Sequence, residues 1–365
     1  MNETNVMAPL QAFHGLKPPA PIWFENAIAE EPERTFVTVE GARVETLAWG
    51  KRGNPGLVFL HGGAAHADWW SFVAPFFARE RRVVAPTFTG MGRSDWRQVY
   101  SFDQFVREAR EAGRAAGAYE AGPPTVVGHS FGGRVAMGLA GDFGEELQGA
   151  VMVDPPFFAK ENLRPRSPPR PTKERRIQQP QVCENLFILD FIARRSAVEV
   201  VDTEGKHGWA LCFDPHFWEK FTRIDPTVLI TAARSPLALI RGEKSQLFHP
   251  EDAAYLLSLI SPGSPYVEIP EAMLTFSHRV RHRGMNIGSP KVDELARRLA
   301  RLTGEDLETA LERAIEERLS RIAPAANGDR HAAIRTFVDR VSQMPVLDGR
   351  SADAILGYGP DGLPS

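Results

Sequence analysis

Apolar and polar side chains alternate through TFVTVEG (35–41) and ARVETLAWG (42–50), the period-two pattern of a half-buried β-hairpin. The pattern then changes. GLVFLHGG (56–63), RRVVAPTFTGMGRSDW (81–96), PTVVGHS (124–130), GAVMVDPP (149–156) and SPLALIRGE (235–243) each carry an unbroken apolar run that stops at Gly, Pro or a polar residue. Strands that are apolar on both faces belong in a parallel sheet covered by helices. Between them, FDQFVREAREAGRAAG (102–117), residues 133–140 and PEDAAYLLSLI (250–260) have helical composition, and SPYVEIPEA (264–272) is the last expected strand. This alternation predicts an α/β fold with a doubly wound, mostly parallel sheet.

Two regions break the rhythm. Within 155–226, RPRSPPRPTKERR (164–176) reads as an exposed basic arm and CENLFILDFIARRS (183–196) as an amphipathic helix. An insertion placed directly after a sheet strand, on the side where residue 130 lies, is expected to be a helical lid. After residue 272 the alternation stops. MLTFSHRVRHRG (273–284) is a basic junction, and from Met285 the chain reads like a new small protein. A short strand, MNIGSP, precedes one helix with Val292, Leu295, Ala296, Leu299 and Ala300 on a single face. A second carries Leu307, Leu311, Ile315 and Leu319 at i, i+4 spacing, with Gly304 as the stop between them. The expected organisation is a lead-in over 1–22, a large domain over 23–272, the junction, and a mostly helical region over 285–365.

Composition narrows the function classes. The 365 residues are 43% hydrophobic with a formal net charge of −3, a balance that makes no global case for a nucleic-acid or polyanion partner. The Pro-rich start has no basic segment followed by an apolar core, so no secretory signal is expected. No apolar run approaches the about 18–20 residues needed to span a bilayer. Cys183 and Cys212 lack metal-site spacing. A reduced, soluble, cytoplasmic protein without metal or cofactor is expected.

The chemistry concentrates in Gly128-His129-Ser130-Phe131-Gly132. A G-x-S-x-G turn between a strand and a helix strains the serine backbone, lifts Oγ out of the sheet, and aims the Phe131 N–H at any oxygen that becomes negative during attack. A serine so placed, with backbone donors nearby, suits acyl transfer through a tetrahedral intermediate.

The ordered set HGGAAHADWW, GHSFGG, VDPP, RGEKS and VEIPEA resembles the α/β-hydrolase superfamily over residues 23–272. The resemblance implies Ser130 as nucleophile, and an oxyanion hole made by the amides of Gly63, or its neighbour Ala64, and Phe131. Related sequences place the acid a few residues after the strand at 236–241, where this chain has Gln246. Some take it from the preceding strand, which here means Asp154, with Glu243 as the alternative. They also carry a histidine directly after a phrase like VEIPEA. Here Met273-Leu274 follow, leaving His278 as the nearest base and His282 as the alternative. His61, His66 and His129 read as loop or supporting residues.

Residues 285–365 resemble a VapB-type antitoxin, on MNIGSP, LARRLARLTGE, AIEERL and VLDGRSADAILGYGPDGLP. That resemblance implies a PIN-domain ribonuclease toxin as partner, met by Arg335, Arg340 or Arg350. It also implies operator DNA read through Asn286 in a ribbon-helix-helix-like dimer. The simplest account of both departures is a join, in which a hydrolase-like frame continues into an antitoxin-like frame starting at Met285.

Overall fold

The computed structural model describes residues 10, 13–157, 185–201, 207–222, 224–243, 245, 248–270, 299, 303 and 313. In chain order these form α1 (Ile22–Ala29), β1 (Glu33–Val39), β2 (Ala42–Trp49), β3 (Gly56–Leu60), α2 (Pro75–Ala78), β4 (Arg82–Pro86), β5 (Tyr100–Ser101), α3 (Phe102–Ala115), β6 (Thr125–His129), α4 (Phe131–Asp142) and β7 (Gly149–Val153). Then come α5 (Leu186–Ser196), β8 (Ala197–Val201), β9 (His207–Leu211), α6 (Phe217–Lys220), β10 (Phe221–Thr222), α7 (Pro226–Thr231), β11 (Leu237–Gly242), α8 (Pro250–Leu259) and β12 (Tyr266–Ile269).

Eight strands make one sheet in the order β1-β2-β4-β3-β6-β7-β11-β12. The β1–β2 and β2–β4 pairs are antiparallel and the rest are parallel. The continuous apolar runs are explained by burial on both faces. Val58, Leu60, Val126, Met152 and Leu239 pack toward α3 and α4, while Leu57, Phe59, Val127, Val151 and Ile240 pack in a second core with Trp70 and Phe77. The Phe59 and Trp70 rings stack at 4.6 Å. Helix α3 is capped by Ser101, whose side chain accepts from the Gln104 amide, and it buries Phe102, Phe105, Val106 and Ala109. Helix α4, rich in Gly and Ala, is buried almost along its whole length.

β7 pairs directly with β11, so the described elements between them in the chain lie outside the eight-stranded sheet. The prediction of a helical insertion is corrected here. Helix α5 forms, but it runs straight into the antiparallel hairpin β8–β9. Val198, Val200, Val201 and Trp209 supply the β-branched and aromatic residues that favour strands, a local signal within the insertion just after the helix read over 183–196. β10 adds a short parallel pair with β5.

No helix among the described residues is long and apolar enough to cross a membrane. A second compact unit, residues 281–329, is described at Leu299, Thr303 and Arg313. All three are helical, and the Thr303 hydroxyl donates to the Leu299 carbonyl at 3.0 Å.

Candidate active site

Ser130 follows the last residue of β6 and precedes α4, with φ 49° and ψ −118°, a conformation L-residues avoid. Steric crowding selects its glycine neighbours. A Cβ on Gly128 would lie 2.1 Å from the Gly132 carbonyl oxygen, and one on Gly132 would lie 2.4 Å from that of Leu60. The elbow is thus pressed against the end of β3. The loop after β3 passes beside the serine, since a Cβ on Gly62 would come within 3.5 Å of the Ser130 Cβ. Gly63 lies in that loop, and Phe131 opens α4, where amides point out of the helix without intrahelical partners. The structure therefore brings Ser130, Gly63 and Phe131 to one place. Ser130 is buried, at 2% exposed.

The loop after β3 is held by its first residue. The His61 ring is fully buried; its Nδ1–H donates to the Gly62 carbonyl at 2.7 Å, and its Nε2 accepts from the Phe88 amide at 3.0 Å. These partners assign the tautomer. Burial, reinforced by the neighbouring His66 and His129, pushes His61 down to about 3, so the ring stays neutral. Both nitrogens are engaged in structural bonds, which suits the supporting role read from the sequence.

Asp154 stands one residue beyond β7, as Ser130 stands one beyond the adjacent β6. The Ser130 amide donates to the Val153 carbonyl at 2.8 Å, so the two residues emerge side by side at the carboxyl end of the sheet. The Asp154 backbone is also left-handed, at φ 42°. Its carboxylate is 3% exposed and accepts from the Gly242 amide at 3.2 Å. The alternative acid, Glu243, has an exposed side chain just past β11. His278 and His282 lie outside the described residues, as do Gln246, Asn286, Arg335, Arg340 and Arg350.

A polar cluster that sequence reasoning missed adjoins the loop. His66 Nε2 is 2.8 Å from Ser196 Oγ at the end of α5, and Asp68 sits against Arg34 at 2.8 Å and Arg195 at 3.3 Å. Burial opposes ionisation of Asp68, but the facing His66 ring and the Arg34 guanidinium outweigh it and hold the carboxyl well below the usual range. Its partners are 130 residues apart in sequence for His66–Ser196, so no local pattern points to it. No group of three or more His, Cys, Asp or Glu side chains that could hold a metal ion occurs among the described residues.

The chain belongs to the alpha/beta hydrolase family, whose model matches residues 57–341. It is 34% identical over 107 residues to Lipase LipV of Mycobacterium tuberculosis, an alignment covering 29% of this chain and 40% of the lipase. The match thus spans less than half of that relative's length. The fold also matches the thioesterase domain from the curacin biosynthetic pathway, with TM-score 0.52 and 21% identity over 66% of this chain and 92% of that one. The chain also carries VapB antitoxin homology. It is 46% identical over 82 residues to Antitoxin VapB30 of Mycobacterium tuberculosis, covering 22% of this chain and 98% of the antitoxin.

Proposed function

We propose that the chain is a serine hydrolase acting on carboxylic esters or related acyl substrates, joined to an antitoxin-like segment. The observation that carries the reading is the left-handed Ser130 between β6 and α4, beside the loop that holds Gly63. In this reading His278 takes the Ser130 Oγ proton as Oγ bonds to the acyl carbon. The Gly63 and Phe131 amides stabilise the resulting oxyanion, and Asp154 stabilises the imidazolium. Collapse breaks the bond to the leaving group, which takes the proton back from His278, and water then releases the acid by the same steps in reverse.

A fluorophosphonate probe tests it. The wild-type chain is expected to carry an adduct on Ser130, and His278→Ala to slow labelling by about 10³-fold or more. An unmodified Ser130, beside a control hydrolase that reacts fully, would reject the enzyme reading. Loss of rate in His282→Ala alone would move the base to that residue.

The antitoxin homology favours a second role, neutralising a PIN-domain ribonuclease through Arg335, Arg340 or Arg350 and reading operator DNA through Asn286. The full chain, mixed with a purified PIN-domain ribonuclease encoded beside a homologous antitoxin, is expected to suppress its RNA cleavage. Alanine at all three arginines should restore cleavage. Undiminished cleavage in excess wild-type chain counts against this role.

A further inference from the structure

We propose that His66 is a positioning residue that ties the loop carrying Gly63 and Ala64 to the last residue of α5, so that the seating of the inserted segment sets the oxyanion hole. The inference rests on the reading of that loop as the oxyanion loop. Its two ends are held differently. His61 binds the first end to Phe88, just past β4, and braces the loop internally through the Gly62 carbonyl. His66, 2% exposed, binds the second end to the insertion, with Nε2 2.8 Å from Ser196 Oγ.

Asp68 faces the other ring nitrogen, Nδ1, at 3.6 Å. A carboxylate there favours the proton on Nδ1, which leaves Nε2 to accept from the Ser196 hydroxyl. Asp68 is itself held by Arg34, reaching over from β1, and by Arg195, the neighbour of Ser196. Ser196 is doubly tied, because its carbonyl accepts from the Cys212 amide at 2.8 Å, just beyond β9. The hairpin and α5 therefore meet the loop at one residue.

Between the two anchors Ala64 is exposed and sits at φ 56° without being glycine. Such a conformation persists only where its surroundings over-determine it. With one end released, the loop is free to relax, and the amides of residues 63 and 64 lose their aim. Ser196, although paired with a histidine, is poorly placed to be a nucleophile. It ends a helix, where carbonyl groups rather than N–H donors face the site.

Hydrogen exchange on the full chain separates this coupling from general loosening. Ser196→Ala is expected to speed exchange in the peptide spanning 61–70 by about tenfold. Ser196→Thr, which keeps the hydroxyl, should return it to the wild-type rate. Arg194→Ala serves as the contrast. Arg194 pairs with Asp190 and donates to the Gly15 carbonyl at 2.7 Å, so its loss loosens α5 without touching His66. It should speed exchange in 186–196 and leave 61–70 unchanged. His66→Gln gives an independent reading if Ser196→Ala folds poorly, and should also speed exchange in 61–70. Wild-type exchange in 61–70 for a folded Ser196→Ala or His66→Gln variant, or equal opening by Arg194→Ala, overturns the proposal. These rates are read without turnover, so an unreactive Ser130 would sink the hydrolase reading and leave this result standing.

Discussion

Replacing Ser130 with glycine is expected to stabilise the protein by about 1–2 kcal/mol while abolishing every reaction with a fluorophosphonate. At φ 49° and ψ −118° the serine Cβ crowds its own backbone, whereas glycine reaches that conformation without penalty. The strain released is of order 1–3 kcal/mol, and the added freedom of glycine in the unfolded chain takes back about 0.4–1 kcal/mol. Ser130→Ala keeps the Cβ and the strain, so it should lose reactivity with little change in stability. Gly132→Ala goes the other way. Its new methyl would meet the Leu60 and His61 carbonyl oxygens at 2.4 and 2.6 Å, a backbone clash between α4 and the end of β3, and a loss of about 3 kcal/mol or more is expected. Urea midpoints at constant m-value measure all three variants. A Ser130→Gly chain no more stable than Ser130→Ala would show that the elbow stores no more strain than the about 0.4–1 kcal/mol that glycine's freedom in the unfolded chain takes back.

The second large effect is a loss of stability on mild acidification that traces to His61. Its folded value, depressed to about 3 from 6.5, means that the unfolded chain binds the proton more readily. The associated stability is complete above 6.5 and is lost as pH falls from there toward 3. One such group changes stability by about 1.4 kcal/mol per pH unit once the unfolded histidine is protonated. Carboxylates held low by partners enter later: Glu146, held down to about 2 chiefly by its hydrogen bonds from Arg110, contributes only below its ordinary value of 4.5. The window from about pH 6 to about pH 5 therefore lies above those carboxylates, while buried Glu108, whose carboxyl is raised by desolvation, opposes the loss by taking up a proton in the folded state. Urea midpoints there should fall for the wild type and flatten for His61→Asn, which starts less stable at neutral pH. An unchanged slope in that variant would assign the acid sensitivity to another group.

The two homologies place different demands on one chain. The alpha/beta hydrolase model extends to residue 341, whereas the antitoxin relative is matched over 98% of its own length. Ribonuclease suppression and Ser130 labelling are separable measurements, so either activity can be found without the other.

The strands and the elbow were legible in the sequence because their causes are local. Burial on both faces leaves an unbroken apolar run such as GLVFL or GAVMV, and crowding between β6, β3 and α4 admits only glycine at 128 and 132. Helices α3 and α8 were legible from composition for the same reason. The hairpin β8–β9 was less so, because four of the five residues of β8 are exposed and print no clean alternation. What tertiary structure alone decided is which distant groups meet. The pairing of β6 with β7 sets Asp154 beside Ser130, while Glu243 is left exposed at the end of β11. The sequence marked His61 and His66 as loop or supporting residues without naming their partners. The packing of β4 and α5 against that loop gives them Phe88 and Ser196 as partners. A hydrogen bond requires proximity in space, and proximity across 130 residues comes from the fold and not from spacing along the chain.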